Sequence, residues 1–142
     1  MLYNEAAAIT SVNQGWQYFD NYPGIPPGFT SLQSTIGYNI YLIGSSDILK
    51  FNGMLNAGDH TFNLTFTAGN KGAGWNLVGN PYPCNYDLNG VNGLGTVVAG
   101  ISNTVYYNNN GEYQYWNVLT NNGSNAGYSD ILPPITGFNV LT

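Results

Sequence analysis

The chain has 142 residues, and only 6% of them are charged: two lysines, no arginine and seven acidic residues give a net charge of −5. A content of 15% aromatic and 43% hydrophobic residues is too apolar for a disordered chain, and the length suits one domain with a sizeable core. Two lysines cannot neutralise a phosphate backbone, so nucleic acid is not an expected partner, and no apolar run approaches the roughly 20 residues of a membrane span.

The N-terminal part of the sequence contains few regular elements. Asn4 to Ile9 is the one helix candidate and is too short to stand alone, so we interpret it as an arm or an edge strand. Trp16 to Asp20 is a short aromatic strand, and a proline-rich loop follows over residues 21–28. The first residues lack the basic flank and apolar core of a signal peptide, so we expect Met1 to begin an excised piece of a longer protein.

Alternating segments separated by turns follow from residue 37 onward. Residues 37–43 alternate in polarity, and 48–52 are a plausible hairpin partner for them. Residues 60–67 have the cleanest alternation in the chain, which predicts a strand with one apolar face. We expect one shared core built from five inward side chains: Phe62, Leu64, Phe66, Trp75 and Leu77.

Residues 74–83, Gly-Trp-Asn-Leu-Val-Gly-Asn-Pro-Tyr-Pro, combine a strand with a corner. Trp75 to Val78 suit a buried strand. Pro81 and Pro83 lack backbone donors, so the hydrogen-bonded ladder must stop before them. We predict that the chain turns a stiff corner here, with Tyr82 largely buried and its hydroxyl hydrogen-bonded.

The C-terminal half returns to strands after a Gly- and Asn-rich connection over residues 84–102. Strands are predicted at 104–107 and 113–119, with an Asn-rich hairpin turn between them, and a last strand at 137–141. About eight short strands separated by turns predict an all-β fold. We expect residues 1–142 to form a single antiparallel β-sandwich, jelly-roll-like, with long Gly- and Asn-rich loops.

The Gly-Asn-Pro-Tyr-Pro core of residues 74–83 resembles a motif of secreted, multi-domain proteins that Bacteroidetes export through the type IX secretion system. In those proteins the region usually lies near the C-terminus, ahead of the sorting signal. The resemblance implies a secreted or cell-surface β-domain beside other domains, and it implies no general activity. Four further segments are similar to the same region: 37–41, 49–58, 103–107 and 131–140.

Catalytic and metal-binding groups are hard to assemble from this sequence. His60 is the only histidine and no Gly-x-Ser-x-Gly motif is present, so we interpret His60 as an exposed turn residue. Cys84 is the only cysteine and is expected to pack as a small side chain. Asp87 or Glu112 could bind calcium with nearby asparagines, but turn formation explains both clusters equally well. We therefore predict no enzyme activity and no cofactor.

Exposed aromatic rings beside neutral amides are typical of carbohydrate-binding sites, because sugar rings have flat C–H faces and peripheral hydroxyls. If Trp116 and Val118 face the core, residues 113, 115 and 117 share the outer face, and a tyrosine across the hairpin adds a further ring. The candidate ligand-binding residues are Tyr107, Tyr113, Tyr115, Trp116 and Asn117.

Two functions remain open from the sequence alone. The first is a non-catalytic extracellular accessory module that binds polysaccharide through exposed aromatic rings. The alternative is a structural spacer or interaction module that contacts neighbouring domains of the parent protein, next to its C-terminal sorting region. A binding module requires an outward row of aromatic rings, whereas a spacer requires only scattered rings outside the core.

Overall fold

The computed structural model describes residues 1–19, 28–40, 48–90, 100–109, 111–124 and 129–142. Two 3₁₀ helices, Glu5–Ala7 and Val12–Gly15, lie near the N-terminus. The strands in these ranges are β1 (Leu2–Tyr3), β2 (Trp16–Gln17), β3 (Trp75–Gly79), β4 (Tyr86–Asp87), β5 (Thr104–Asn109), β6 (Glu112–Asn117), β7 (Asn122–Gly123), β8 (Ile131–Leu132) and β9 (Gly137–Leu141).

Five strands form the main sheet in the order β3-β9-β5-β6-β7, while β1-β2 and β4-β8 form two small sheets. The strands described here pair antiparallel within each sheet. The β5–β6 hairpin turns between the paired residues Asn109 and Glu112, and this pairing sets its register. The prediction of an antiparallel all-β chain is therefore confirmed. A sandwich or jelly roll is not confirmed, because the described part of the chain contains no second large sheet.

The hydrophobic core lies against one face of the main sheet. Side chains alternate between the two faces along a strand, and buried residues recur at every second position of β3 and β9. Leu132 of β8 and Leu88, which follows β4, are fully buried beside the sheet. The buried cluster consists of Val78, Leu88, Val105, Tyr107, Trp116, Leu132, Phe138 and Val140.

The prediction assigned the wrong residues of β3 to the core. Asn76 and Val78 are buried on the core face, so Trp75 and Leu77 lie on the opposite face, where they are half-buried. Three of the four residues 75–78 are apolar, and such a run does not itself tell which face is buried. The polar residue of this run, Asn76, is one of the two buried ones, and its hydrogen bonds explain why this face points to the core.

The Asn76 amide connects the sheet to residues 60–67, which cover the core face. Its Oδ1 accepts from the Thr65 backbone N–H at 2.9 Å, and its Nδ2 donates to the Thr65 carbonyl at 3.0 Å. The side chain thus pairs with Thr65 as a peptide group of a neighbouring strand would. Residues 60–67 form no strand in this structure.

Burial along residues 60–67 follows the predicted alternation only in part. Phe62 and Leu64 pack against the core, as predicted, but Phe66 is 62% exposed and the prediction for it is wrong. Thr67, expected to face outward, instead donates from its N–H and its Oγ1 to the Glu5 carboxylate, at 3.1 and 2.8 Å. Glu5 is buried, so these two bonds supply hydrogen-bonding partners for a carboxylate removed from water.

The corner after β3 is organised by the side chain of Asn80, which is only 7% exposed. Its Nδ2 donates to the Cys84 and Pro133 carbonyls, each at 3.0 Å, and its Oδ1 accepts from the Tyr82 N–H at 3.0 Å. The backbone N–H of Asn80 donates to the Thr136 carbonyl at 2.9 Å. β3 ends at Gly79, as the prolines predict.

The aromatic residues around the corner differ in part from the prediction. Tyr82 is half-buried, less than expected, and its hydroxyl donates to the Gly58 carbonyl at 3.0 Å as predicted. His60 packs edge-on against Tyr82 with ring centroids 5.4 Å apart and is half-buried, so its assignment as an exposed turn residue is wrong. Cys84, expected to pack, is exposed.

The remaining predicted elements have mixed outcomes. The arm at Asn4–Ile9 contains the 3₁₀ helix Glu5–Ala7, because the Asn4 side chain accepts from the Ala6 N–H and caps a short turn. Residues 37–40 and 48–52 belong to no strand, and 41–43 lie outside the described residues. The strands expected near 75–78, 104–107, 113–119 and 137–141 are present.

Phe138 is 1% exposed and is the largest fully buried side chain of the core. Replacing Phe138 by alanine should lower the free energy of unfolding by about 3–5 kcal/mol, because it removes buried apolar area and leaves a cavity. Phe66→Ala removes the same ring from an exposed position and should change stability by less than about 1 kcal/mol. Urea unfolding followed by tryptophan fluorescence measures both, and equal losses would contradict the assignment of the core face.

Asn80→Asp tests the corner, because it replaces an N–H donor by a carboxylate oxygen facing two carbonyls. Burial and those carbonyls should raise the pKa of the new carboxyl above its usual value of about 3.9. The protonated form, which can still donate, is present at low pH, so stability relative to the unchanged protein should fall as pH rises through the raised pKa. At pH 7 we expect a loss of at least about 2 kcal/mol.

Asn85→Asp is the matched control, since Asn85 is exposed on the same loop. It should change stability by less than about 0.5 kcal/mol at either pH. Thermal melts of the three proteins between pH 4 and pH 8 provide the comparison. A pH-independent gap between Asn80→Asp and the unchanged protein would show that the amide donor is not what holds the corner.

Candidate functional site

The side of the main sheet that faces away from the core carries a group of aromatic rings. Alternation along β3, β5, β6 and β9 brings these side chains to one side, since their strand neighbours point into the core. We call the group the aromatic face, and it consists of Trp75, Tyr106, Tyr113, Tyr115 and Asn139.

Three rings of the aromatic face, Trp75, Tyr106 and Tyr115, form a continuous series across the sheet. Trp75 and Tyr106 have ring centroids 5.2 Å apart with an interplanar angle of 60°. Tyr106 lies opposite Tyr115 in the β5–β6 hairpin, with centroids 6.4 Å apart and an angle of 54°. Tyr115 is 41% exposed and Tyr113 is 70% exposed, so the series becomes more accessible toward β6.

Asn139 lies within this series, on the strand between Trp75 and Tyr106. It pairs with Leu77 of β3 on one side and with Tyr106 of β5 on the other. The amide of Asn139 therefore lies between an apolar side chain and an aromatic ring on the outer side of the sheet. It is half-buried and therefore still reached by solvent.

The polar groups of the aromatic face have no partners elsewhere in the described residues. No hydrogen bond engages the hydroxyls of Tyr106, Tyr113 and Tyr115, the Trp75 indole N–H or the Asn139 amide there. By contrast, the Trp116 indole on the core side donates to Asn89 Oδ1 at 3.4 Å. The outer rings therefore combine apolar faces with donors and acceptors that are free to bind a ligand.

The aromatic face is electrically neutral. The other residues that point to this side from β3, β5, β6 and β9 are apolar, amide or hydroxyl side chains, with no acidic or basic group among the described positions. The acidic residues that produce the net charge of −5 lie elsewhere in the chain. A ligand on this face would bind by stacking and neutral hydrogen bonds.

The sequence placed three of its five candidate residues on the correct side of the sheet. Tyr113 and Tyr115 are on the aromatic face, and their role in binding stays a prediction. Asn117 is on the same side, but its Nδ2 donates to Thr104 Oγ1 at 3.0 Å and its Oδ1 accepts from the Thr120 N–H at 2.9 Å. These bonds stabilise the end of the hairpin, so little of this amide is left for a ligand.

The other two candidates are buried in the core. Tyr107 is 9% exposed and pairs with Gln114, another core-facing residue, so its expected place on the outer face is wrong. Trp116 is 8% exposed, as its assumed core orientation requires, and no ligand could stack on it. The neighbour of Tyr107 in sequence, Tyr106, occupies the position that was expected for Tyr107.

Sequence reasoning missed Trp75, Tyr106 and Asn139 as members of the site. The hairpin register would have identified Tyr106, because counting back from the pair Asn109–Glu112 sets Tyr106 opposite Tyr115. No comparable local signal exists for Trp75 and Asn139, since strand order brings them there from distant parts of the chain.

The two asparagine clusters considered for calcium have structural roles in turns. Asp87 Oδ1 accepts from the Asn89 N–H at 2.8 Å, and Asn108 Oδ1 accepts from the Gly111 N–H at 3.0 Å. Asn110, named with the second cluster, lies outside the described residues. Within the described ranges, no group of three or more His, Cys, Asp or Glu residues is placed to hold a metal ion.

A large apolar cleft lies beside the corner, and none of the aromatic-face residues lines it. It has a volume of about 1260 Å³, and the corner residues Pro81, Tyr82 and Pro83 form part of its wall. Several apolar side chains around it are open to solvent, including Met54 at 97% and Leu55 at 78% exposure. Its other walls include Phe19, Phe29, Leu32, Ile40 and Phe51.

Comparison with known proteins gave no match, whether against protein-family models, curated proteins or solved structures. The resemblance of residues 74–83 to secreted proteins of Bacteroidetes therefore stays a prediction. In the described ranges, helices of the length and apolar character needed to cross a membrane are absent. The aromatic face is the feature that bears most directly on function.

The assignment of faces can be checked by nitration with tetranitromethane, which modifies accessible tyrosines. We expect Tyr113, at 70% exposure, to be nitrated early and Tyr107, at 9%, to be protected in the folded protein. Peptide mass spectrometry distinguishes these among the 12 tyrosines of the chain. Both tyrosines should react once about 8 M urea has unfolded the protein. Early nitration of Tyr107 in the native protein would reverse the assignment of the two faces.

Proposed function

We propose that the chain is a non-catalytic accessory module of a secreted or cell-surface protein and that it binds polysaccharide on the aromatic face. One observation carries this proposal: rings from three strands lie in a continuous series with unengaged polar groups and without charge. Sugars bind such surfaces by stacking their C–H faces on the rings and by hydrogen bonding through their hydroxyls.

The extracellular location has support of a different kind. The decapeptide 74–83 resembles a segment of exported Bacteroidetes proteins, and the chain draws its polarity from amides, hydroxyls and glycine more than from charge. Such neutral hydrogen-bonding surfaces are typical of extracellular β-domains. The proposal includes neighbouring domains in the parent protein, which would carry any catalytic activity.

Tyr113→Ala and Tyr115→Ala test the proposal directly. Each should weaken retention on polysaccharide while leaving the melting temperature nearly unchanged, because both side chains are exposed. A stacked ring contributes about 1 kcal/mol, so the double variant should lose roughly tenfold or more in affinity. Because no charge takes part, binding should survive 1 M salt, where the Debye length is only about 3 Å.

The assay is a pull-down on amorphous cellulose, xylan, amorphous chitin and mannan, with Phe66→Ala as the control variant. Phe66 is an exposed ring, at 62%, that does not belong to the aromatic face, so its removal should leave binding unchanged. Full retention by the tyrosine double variant would exclude this face as the site. Loss of binding in modest salt would indicate an electrostatic partner instead.

The alternative, a spacer or interaction module, has its own supporting observation. The apolar cleft beside the corner leaves Met54, Leu55 and Ile135 at 70% exposure or more, and exposed apolar clusters often mark contacts between proteins or domains. The same binding assay separates the two functions, because a spacer has no affinity for polysaccharide.

A further inference from the structure

We infer that the aromatic face binds single, soluble chains of a neutral glycan and does not bind the flat surface of a crystalline polysaccharide. This inference rests on the proposed function and narrows its substrate class. The angles between the rings, the unpaired amide of Asn139 and the absence of charge each contribute to it.

The ring planes are the first observation. Chains in a crystalline polysaccharide present their sugar rings in one plane, so a protein surface that stacks on several of them needs rings that are nearly coplanar. Here neighbouring planes differ by 60° between Trp75 and Tyr106 and by 54° between Tyr106 and Tyr115. Their centroids are only 5.2 and 6.4 Å apart, so the rings are packed against one another at these angles.

A free glycan chain can follow such tilted rings, because rotation about its glycosidic bonds turns one sugar relative to the next. A sugar stacked on Tyr115 can therefore precede one that stacks on Tyr106 at a different angle. A chain held in a crystal lattice cannot make these rotations. The geometry thus favours a chain that is free in solution.

The unpaired amide of Asn139 is the second observation. It lies between Leu77 and Tyr106 and has no partner among the described residues. The hydroxyls of a free glycan chain are available to bond to this amide, whereas in a crystalline polymer they are engaged with neighbouring chains.

The charge of the protein restricts which soluble glycans the aromatic face can bind. The aromatic face has no basic side chain that could bind a uronate or a sulfate, and the chain as a whole carries a net charge of −5. A polyanionic glycan would be repelled and would find no partner for its charge. Neutral polysaccharides are therefore the expected class.

Affinity electrophoresis on native gels tests this inference, because the acidic protein migrates and is retarded by a polysaccharide cast in the gel. The neutral soluble probes are hydroxyethylcellulose, glucomannan and soluble xylan, and the anionic probe is alginate. Pull-downs on crystalline cellulose and crystalline chitin provide the other arm. We expect retardation by at least one neutral soluble chain, none by alginate, and no retention on the crystalline polymers.

Two variants locate the interaction on the aromatic face. Tyr106→Ala should weaken retardation by at least about tenfold, since Tyr106 contacts both neighbouring rings. Trp75→Phe should abolish the change in tryptophan emission that a bound chain produces, because Trp116 is buried and Trp16, which packs edge-on against Tyr3, does not belong to the aromatic face. Phe66→Ala should match the unchanged protein in both measurements.

The outcomes separate the inference from the function on which it rests. Retention on a crystalline polymer without retardation by any soluble chain, or preference for alginate, would overturn the inference and leave a polysaccharide-binding module. Absence of binding to every probe would overturn the proposed function itself. Retardation that Tyr106→Ala leaves unchanged would overturn the assignment of this face.

Discussion

The structure depends on the corner after β3, which the side-chain amide of Asn80 holds in place. Asn80 is buried at the point where two prolines end the strand, and its side chain bonds to backbone groups on both sides of the corner. One of these partners, Pro133, comes from the segment between β8 and β9. Asn80 thus joins the end of β3 to the segment that leads into β9, the strand that carries Asn139.

Amide side chains in this protein form many of the contacts between segments that pairs of charged side chains form in other proteins. Asn76 joins the sheet to residues 60–67, Asn80 forms the corner, and Asn89 binds the buried indole of Trp116. A neutral amide can donate and accept at once, and its burial costs far less than that of an ion. The low content of charged residues, 6%, is therefore compatible with a well-organised interior.

The sequence was informative where the signal is local. Turn residues and prolines located the hairpin strands, the last strand and the end of β3, because these depend on dihedral angles of neighbouring residues. The sequence did not show which residues of β3 face the core, because an apolar run suits either face. The 60–67 segment shows the opposite case: its alternation predicted a strand, but the segment is held to the sheet by the side chain of Asn76 and forms no strand.

The sequence predicted the type of candidate site, an exposed aromatic surface, but not all of the residues that form it. Tyr113 and Tyr115 could be placed outward from alternation within one strand. Tyr107 was misplaced because the register across the hairpin was not fixed to the residue, and a slip of one position moves a side chain to the other face. Trp75 and Asn139 join the site only through strand order, which non-local contacts decide.

Pro81, the residue after Asn80, protects the corner from a chemical modification that hydrogen bonds alone would not prevent. Ageing proteins convert asparagine to aspartate mainly when the backbone nitrogen of the next residue loses its proton and attacks the side-chain carbonyl. Pro81 has no such proton, so this ring closure cannot start at Asn80. Asn89, which binds the Trp116 indole, precedes Gly90 and has no such protection. The same holds for Asn52, Asn92, Asn110 and Asn122, each of which is followed by glycine, so this slow damage is expected at such Asn-Gly pairs and not at the corner.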